Sequence, residues 1–395
     1  MQNPNLNKAV ATRPHESLFV TDTNRPPDFS AVIAQLYIYP VKSCAGVALG
    51  EALLTETGLD LDRAWMVVDE QGEIELARDA CAVLNRVCAN DVDVAPGKLI
   101  YTQWLNDKGG IEADLTVTRL SQTAYLIVTG AETEVKDFNW LSRHIPDDAH
   151  AILTNVSSAM GVISIMGPNA RALLQSICPN DLSHEAFPFA TSQEIELGYA
   201  IVRASRITYV GELGWELYIP TEFMTGVYDE IVAAGANFGL KHCGYHALNA
   251  LRMEKAYRHW GHDITDEDTP LEAGLGFAVK MDKPGGFIGR EALVRQKEEG
   301  LKQKLVQFLL KSPEPMLYHN EPIWQGDRIA GYIRSGMYAH TLGASCGLGY
   351  VTAADGGVVG PIGVDDYEIE IAGVRYPVTA SLKPLYDPSN ARIKI

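Results

Sequence analysis

Residues 97–119 read GKLIYTQWLNDKGGIEADLTVTR, the pattern of a strand, a Gly-Gly turn and a second strand. In the second strand Ile111, Ala113, Leu115 and Val117 alternate with Glu112, Asp114, Thr116 and Thr118. Successive strand side chains point to opposite faces, so the apolar set shares one face and Asp114 lies on the other. If that second face meets water, Asp114 is one more surface charge. If it meets a ligand cavity, Asp114 is a partly desolvated carboxylate with chemical use.

The flanking sequence supplies a cavity for it to face. Residues 79–92, DACAVLNRVCANDV, are helix-like and recur as NARALLQSICPNDL at 169–182. Without gaps, Ala80/Ala170, Ala82/Ala172, Leu84/Leu174, Cys88/Cys178, Asn90/Asn180 and Asp91/Asp181 are identical. Strands follow each copy: LIYTQWLN to LTVTRL after the first, GYAIVRA to ELYIP after the second. A repeated helix-plus-hairpin unit implies two pseudo-symmetric α+β halves, and a cavity where they meet. Further helices are expected at about 222–235 and 244–256, the second turning Ala247, Leu248, Leu251 and Met253 to a core. KPGGFIGREALVRQKEEG, 283–300, reads as turn, helix and charged linker. The strand-rich remainder reads as a separate C-terminal barrel.

The chain's 395 residues are ample for more than one core, and its 46% apolar content is ordinary for a soluble protein. A net charge of −17 opposes phosphate-backbone binding, so no nucleic-acid partner is expected. No run reaches the roughly 18 apolar residues of a membrane helix, and the N-terminus has no long apolar segment of a secretory signal. A cytoplasmic location without membrane contact is therefore expected. Residues 1–30, polar and rich in Pro and Asn, read as a mobile tail. Cys44, Cys81, Cys88, Cys178, Cys243 and Cys346 form no CxxC and no zinc spacing; buried thiols and no metal are expected.

From about residue 77 onward the chain resembles the folate-binding aminomethyltransferase family. That family includes the glycine cleavage T-protein and the C-terminal halves of dimethylglycine and sarcosine dehydrogenases. The resemblance rests on NRVCANDVDVAPGKLIYTQWLNDKGGIEADLTVTRL, ISIMGPNARALL, TYVGELGWELYIP, LRMEKAYRHWGHDI, FIGREAL and SGMYAHTLGASCGLGYV, in that order. ANDVDVAPG, GYHAL and LRMEKAYR are shared with the flavoprotein branch. The resemblance implies an α+β fold, a pseudo-symmetric core over residues 77–300 and a C-terminal β-barrel over 301–395. It also implies a central channel for tetrahydrofolate. By motif position, Asp114 matches the family's catalytic aspartate, and Tyr101 a tyrosine beside the folate. Tyr209 and Glu216 match residues holding the pteridine and its linker, and Phe189 completes the implied folate-binding set. For Tyr209 and Glu216 to converge, a turn at Gly211 or Gly214 is needed. Read alone, these residues are a hairpin carboxylate, a strand carboxylate and core aromatics; the motif match favours function. His246 and His262 read as structural or exposed. The implied activity is transfer of an aminomethyl or methyl group from a small donor to tetrahydrofolate, with a separate dehydrogenase or carrier protein presenting the donor.

Two departures qualify the match. The arginine that the glycine-cleavage branch carries four residues before Arg252 is Leu248 here, so the folate tail must be held differently or a different donor is used. The family's opening segment is replaced by residues 31–76, which resemble the N-terminal β-domain of MOSC proteins through YPVKS, GLDLDRAWMVVDEQG and the Ala-Arg of LARDA. In cofactor-binding MOSC relatives the matches of Lys42, Ser43 and Arg63 hold a pterin cofactor. The metal-ligating core domain is absent and Cys44 does not replace it, so no molybdenum is expected. Two other classes compete: a non-catalytic folate-binding or regulatory protein, and a fusion whose folate site is inactive. KPGGFIGRE lacks the cysteine of the KGCYxGQ motif in the family's iron–sulfur assembly proteins, which weighs against the former.

Overall fold

The computed structural model describes residues 78–395 and, before them, the backbone of four short strands. The chain divides into two units, Met1–Ile74 and Glu75–Ile395. In the first, β1 (Leu36–Ile38) pairs antiparallel with β2 (Val47–Leu49), and β3 (Leu54–Thr55) with β4 (Gly58–Leu59). The expected N-terminal tail and Lys42, Ser43, Cys44 and Arg63 lie outside the described residues.

The second unit opens with α1 (Ala80–Val87), then β5 (Leu99–Leu105), β6 (Ile111–Arg119), β7 (Tyr125–Val128) and α2 (Glu134–His144). Then come β8 (Met160–Met166), α3 (Ala170–Gln175), β9 (Ser192–Leu197), β10 (Ala200–Ser205), β11 (Gly214–Pro220) and α4 (Met224–Gly235). Strands β5-β6-β7 form one antiparallel sheet and β8-β11-β10-β9 another. Each sheet packs one face on its own helices. Trp104, Ala113, Leu115 and Val117 pack with Leu84 and Val87 of α1 and Leu141 of α2. Trp215, Leu217 and Ile219 pack with Leu173 and Leu174 of α3 and Val227 and Ile231 of α4. Each large apolar side chain so buried contributes ~1.5–3 kcal/mol.

The sequence repeat is a structural repeat. Asn85 Oδ1 accepts a hydrogen bond from Val92 N at 3.0 Å, and at the matching positions Gln175 Oε1 accepts one from Leu182 N at 2.9 Å. Both side chains fold the loop after the helix back upon it. The helices are shorter than the repeat: Cys88 is already extended and bridges Trp104, so the second part of each copy is loop. The halves meet where Lys98 bridges Thr191, with Leu99 N donating to Ala190 O at 3.0 Å and Ser192 N to Gly97 O at 2.8 Å.

The Gly-Gly turn sets the β5–β6 hairpin. Gly109 has φ +84°, and a Cβ on Gly110 would stand 1.8 Å from Asp266 O, so the approaching 266 loop excludes any other residue. A bulge between Trp104 and Leu105 completes the turn, and beyond it Gln103 stands directly opposite Asp114.

α5 (Tyr245–Glu254) buries Ala250, Arg252, Met253 and Glu254. This corrects the face expected from hydropathy: Ala247 is exposed, and Leu248 and Leu251 line a cavity. Two charged side chains can be buried because each finds a partner, Asp263 for Arg252 and Thr341 N for Glu254. α6 (Arg290–Glu299) leads into a closed barrel of order β12-β15-β14-β13-β16-β17. Its strands are β12 (Gln303–Leu310), β13 (Pro322–Gln325), β14 (Arg328–Ala339), β15 (Ala344–Thr352), β16 (Glu368–Ile371) and β17 (Val374–Ser381). Buried Gln307 of β12 donates to Met253 O and Glu254 O, tying the end of α5 to the barrel. Cys88, Cys178 and Cys346 are buried as expected; Cys243 is exposed. Among the described residues no helix is long and apolar enough to cross a membrane.

Candidate functional site

The sheet faces turned away from the helices look onto a cavity of about 1300 Å³. Asp114, Tyr101, Tyr209, Glu216 and Phe189 all line it.

Asp114 is half-buried on β6. Gln103, fully buried opposite it, donates from Nε2 to Asp114 Oδ1 at 2.8 Å. Tyr101 is two residues before Gln103, a diagonal neighbour of Asp114 on the same face. Burial pushes the Asp114 carboxyl up to about 6; Gln103, the Tyr101 hydroxyl and the charge of Arg258 oppose the shift. The Tyr101 hydroxyl is itself pushed well above its ordinary value by burial and by Asp114. Its ring stacks on Phe277 at 6.1 Å.

This geometry makes a prediction. Gln103 stabilises the charged carboxylate, so Gln103→Leu should move the Asp114 titration above about 6. The acidic limb of any activity needing ionised Asp114 should move with it. A pH profile of the variant checks this; a limb at the same or lower pH would contradict the assignment.

Glu216 sits in the middle of β11, between Ser164 of β8 and Ser205 of β10. Trp215 and Leu217 take the core face, so alternation turns Glu216 to the cavity. Tyr218 Oη donates to Glu216 Oε2 at 2.6 Å, and burial raises the Glu216 carboxyl. No Lys, Arg or His lies within ion-pair distance of it among the described residues. Oε1 is neither bonded nor sealed off, so it opens on the cavity with unused acceptor capacity. Tyr209 precedes β11 in a loop, and the chain turns at Gly211, where φ is +76°. Its hydroxyl donates to Arg258 O at 2.8 Å and its ring stacks on Tyr257 at 6.2 Å.

Glu132, Arg258 and His259 are among the cavity-lining residues that were not singled out from the sequence. His259 Nε2 stands 3.3 Å from Glu132 Oε1, and burial lowers the His259 pKa. His259 N donates to Asp263 Oδ2 at 3.0 Å. The chain leaves α5 at Ala256, whose φ is +54°, and this left-handed step points residues 257–260 into the cavity. A glycine there would have announced the turn; alanine does not. His246 and His262 are exposed and do not line the cavity.

Residues 67–283 match the GCVT N-terminal domain family, and residues 303–387 match the glycine cleavage T-protein C-terminal barrel domain. Residues 30–91 match the MOSC N-terminal beta barrel domain. The chain is 37% identical over 335 residues to human mitochondrial sarcosine dehydrogenase, covering 80% of this chain and 36% of that protein. It is 35% identical over 318 residues to an aminomethyltransferase from Listeria monocytogenes serotype 4a (strain HCC23), covering 80% of this chain and 84% of that one. The chain thus spans little more than a third of the length of the dehydrogenase. In fold it is similar to glycine cleavage system aminomethyltransferase T from Bartonella henselae, with a TM-score of 0.68, 21% identity and coverage of 79% and 82% of the two chains.

Proposed function

The chain belongs to the glycine cleavage T-protein family, and from that we propose that it transfers an aminomethyl or methyl group from a small donor to tetrahydrofolate. The observation that carries the reading is a pair of cavity-lining carboxylates with different partners, Asp114 and Glu216.

Glu216 fits a pterin. It is a partly desolvated carboxylate with one oxygen open to the cavity and no cation beside it, so it seeks N–H donors. The amidine-like edge of a pterin offers two in parallel. Phe189, Tyr101 and Tyr209 give aromatic surface nearby for a flat ring. When bound, tetrahydrofolate supplies the nitrogens that accept the one-carbon unit. Asp114 stabilises positive charge developing at the donor's carbon–nitrogen bond and takes a proton from nitrogen. With its pKa at about 6, it is ionised at neutral pH yet basic enough to accept that proton. A separate dehydrogenase or carrier protein presents the donor.

Calorimetric titration of the intact chain with tetrahydrofolate tests the reading, and an absence of binding would overturn it. Glu216→Gln should bind tetrahydrofolate roughly tenfold more weakly, since a hydrogen bond to a charged group is worth ~1.5 kcal/mol or more. Unchanged affinity would remove Glu216 from the pterin site.

A further inference from the structure

Arg206 is fully buried, and among the described residues no aspartate or glutamate lies within ion-pair distance of it, whereas Arg119 and Arg252 each have an aspartate at 2.6 Å. A guanidinium withdrawn from water needs other acceptors in place of a counter-ion. Its Nη1 donates to Phe187 O at 2.7 Å and stands 3.0 Å from His184 Nδ1. Its Nη2 donates to Ile395 O at 2.7 Å and to Ile393 O at 3.3 Å, and Nε has no partner. Arg171 of α3 donates to the same Ile395 O. Residues 393–395 thus supply both acceptors of Nη2.

The backbone of Arg206 is tied as well. Its N donates to Thr191 O at 2.9 Å, and Ala190 N donates to its O at 3.0 Å. Ala190 has φ +61°, a left-handed conformation that persists in an alanine only where its neighbours hold it. Phe189 precedes Ala190, Tyr209 lies three residues after Arg206, and Ser205 pairs with Glu216. One buried guanidinium therefore stands behind the segments that carry Phe189, Tyr209 and Glu216. The segment it grips belongs to the cavity wall: Pro388, Asn390 and Ile393 all line the cavity. Asp387 anchors the start of that segment. Its carboxylate accepts from Ala391 N at 3.0 Å and Arg392 N at 3.1 Å, and Lys255 Nζ donates to it at 3.2 Å.

Building on the transferase reading above, we propose that residues 388–395 form a strap that closes the pterin end of the cavity, and that Arg206 is the positioning residue that latches it. Strap and latch are reciprocal. Lifting the strap takes both acceptors from Nη2 and leaves the guanidinium short of partners in the interior, which favours the closed state. Closed, the strap presents Ile393 to the bound ring and keeps water from it, and the hydrogen bonds of Glu216 are stronger for that exclusion.

Hydrogen exchange read by mass spectrometry, with stopped-flow release of tetrahydrofolate, tests the strap in the intact chain, in Arg206→Met, in Arg206→Lys and in a chain lacking residues 391–395. Without ligand, Arg206→Met should speed exchange about tenfold at both 391–395 and 207–210 and leave β12 and β15 of the barrel unchanged. Tetrahydrofolate should slow exchange at 391–395 in the intact chain. Arg206→Met and the shortened chain should release it about tenfold faster, the loss of roughly one charge-assisted hydrogen bond. Arg206→Lys, which keeps the charge but not the planar fork, should fall between. Exchange at 391–395 that ignores bound tetrahydrofolate, or release from both Arg206→Met and the shortened chain at the parent rate, overturns the strap. A rise spread evenly over the barrel, or none at 207–210, overturns the latch and leaves Arg206 a structural residue. If Arg206→Met does not fold, the shortened chain decides the release rate and Arg206→Lys the exchange. Failure of the intact chain to bind tetrahydrofolate is a separate outcome: it overturns the transferase reading, while exchange at 207–210 in the unliganded variants still decides the latch.

Discussion

Replacing Asp114 by asparagine should lower one-carbon transfer ~100-fold or more while tetrahydrofolate affinity changes little. Asparagine keeps the size and planarity of the side chain and still offers an oxygen to Gln103. It cannot carry negative charge toward a developing cation, and it cannot take a proton. The same change should stabilise the fold at neutral pH. Asp114 has its folded pKa raised from 3.8 to about 6, so between those values the folded chain holds a proton that the unfolded chain has lost. Its favourable contribution is complete below 3.8 and is lost as pH rises through 6. Asp114→Asn should therefore melt above the parent protein at pH 7.5 and level with it at pH 3. Turnover together with melts at the two pH values checks both halves. An unchanged rate would take Asp114 out of the chemistry, and a lower melting temperature at pH 7.5 would deny that its charge is desolvated.

The facing of Asp114 was legible because strands are simple to read, whereas Glu216 was singled out by the motif match. Alternation in IEADLTV and in GWELYIP puts Asp114 and Glu216 opposite the apolar residues that fill the cores, and the repeat supplied the interface between halves. α5 was harder. Its hydropathy points Ala247 and Leu248 inward, but the helix has two protein neighbours and a cavity. The barrel side takes Met253, tied down through Gln307, while Arg252 is buried by an aspartate that arrives 11 residues later. No local pattern encodes a long-range ion pair. Arg258 and His259 were missed for a related reason. They sit in a quoted motif, but their direction is set by a left-handed alanine and by Asp263, neither of which leaves a turn signature. Hairpin geometry is written in neighbouring residues, whereas this part of the cavity wall is written in contacts across the fold.

Those contacts converge on Asp263, where the second large effect is expected: Asp263→Ala should cost ~3–5 kcal/mol of stability. Asp263 and Arg252 are 0% and 1% exposed and meet at 2.6 Å. Arg252 also donates to Tyr257 O at 2.9 Å, and Asp263 accepts from His259 N, so the pair clamps both sides of Arg258. Removing the carboxylate strands a guanidinium in the interior and frees the turn that points Arg258 and His259 into the cavity. The pair itself need not be strongly stabilising, because burying two charges offsets much of their attraction. The double replacement Arg252→Met with Asp263→Leu should accordingly recover much of the loss in denaturant unfolding while leaving the 257–260 turn less well held. Stability and ligand affinity should then separate. Asp263→Ala loses both, whereas the double variant regains the unfolding midpoint but not the affinity of the cavity that the 257–260 turn lines. If the double variant is as unstable as the single one, the cost lies in the lost hydrogen bonds to Tyr257 O and His259 N rather than in an unpaired charge. The clamp would then act as a backbone tie instead of an electrostatic one.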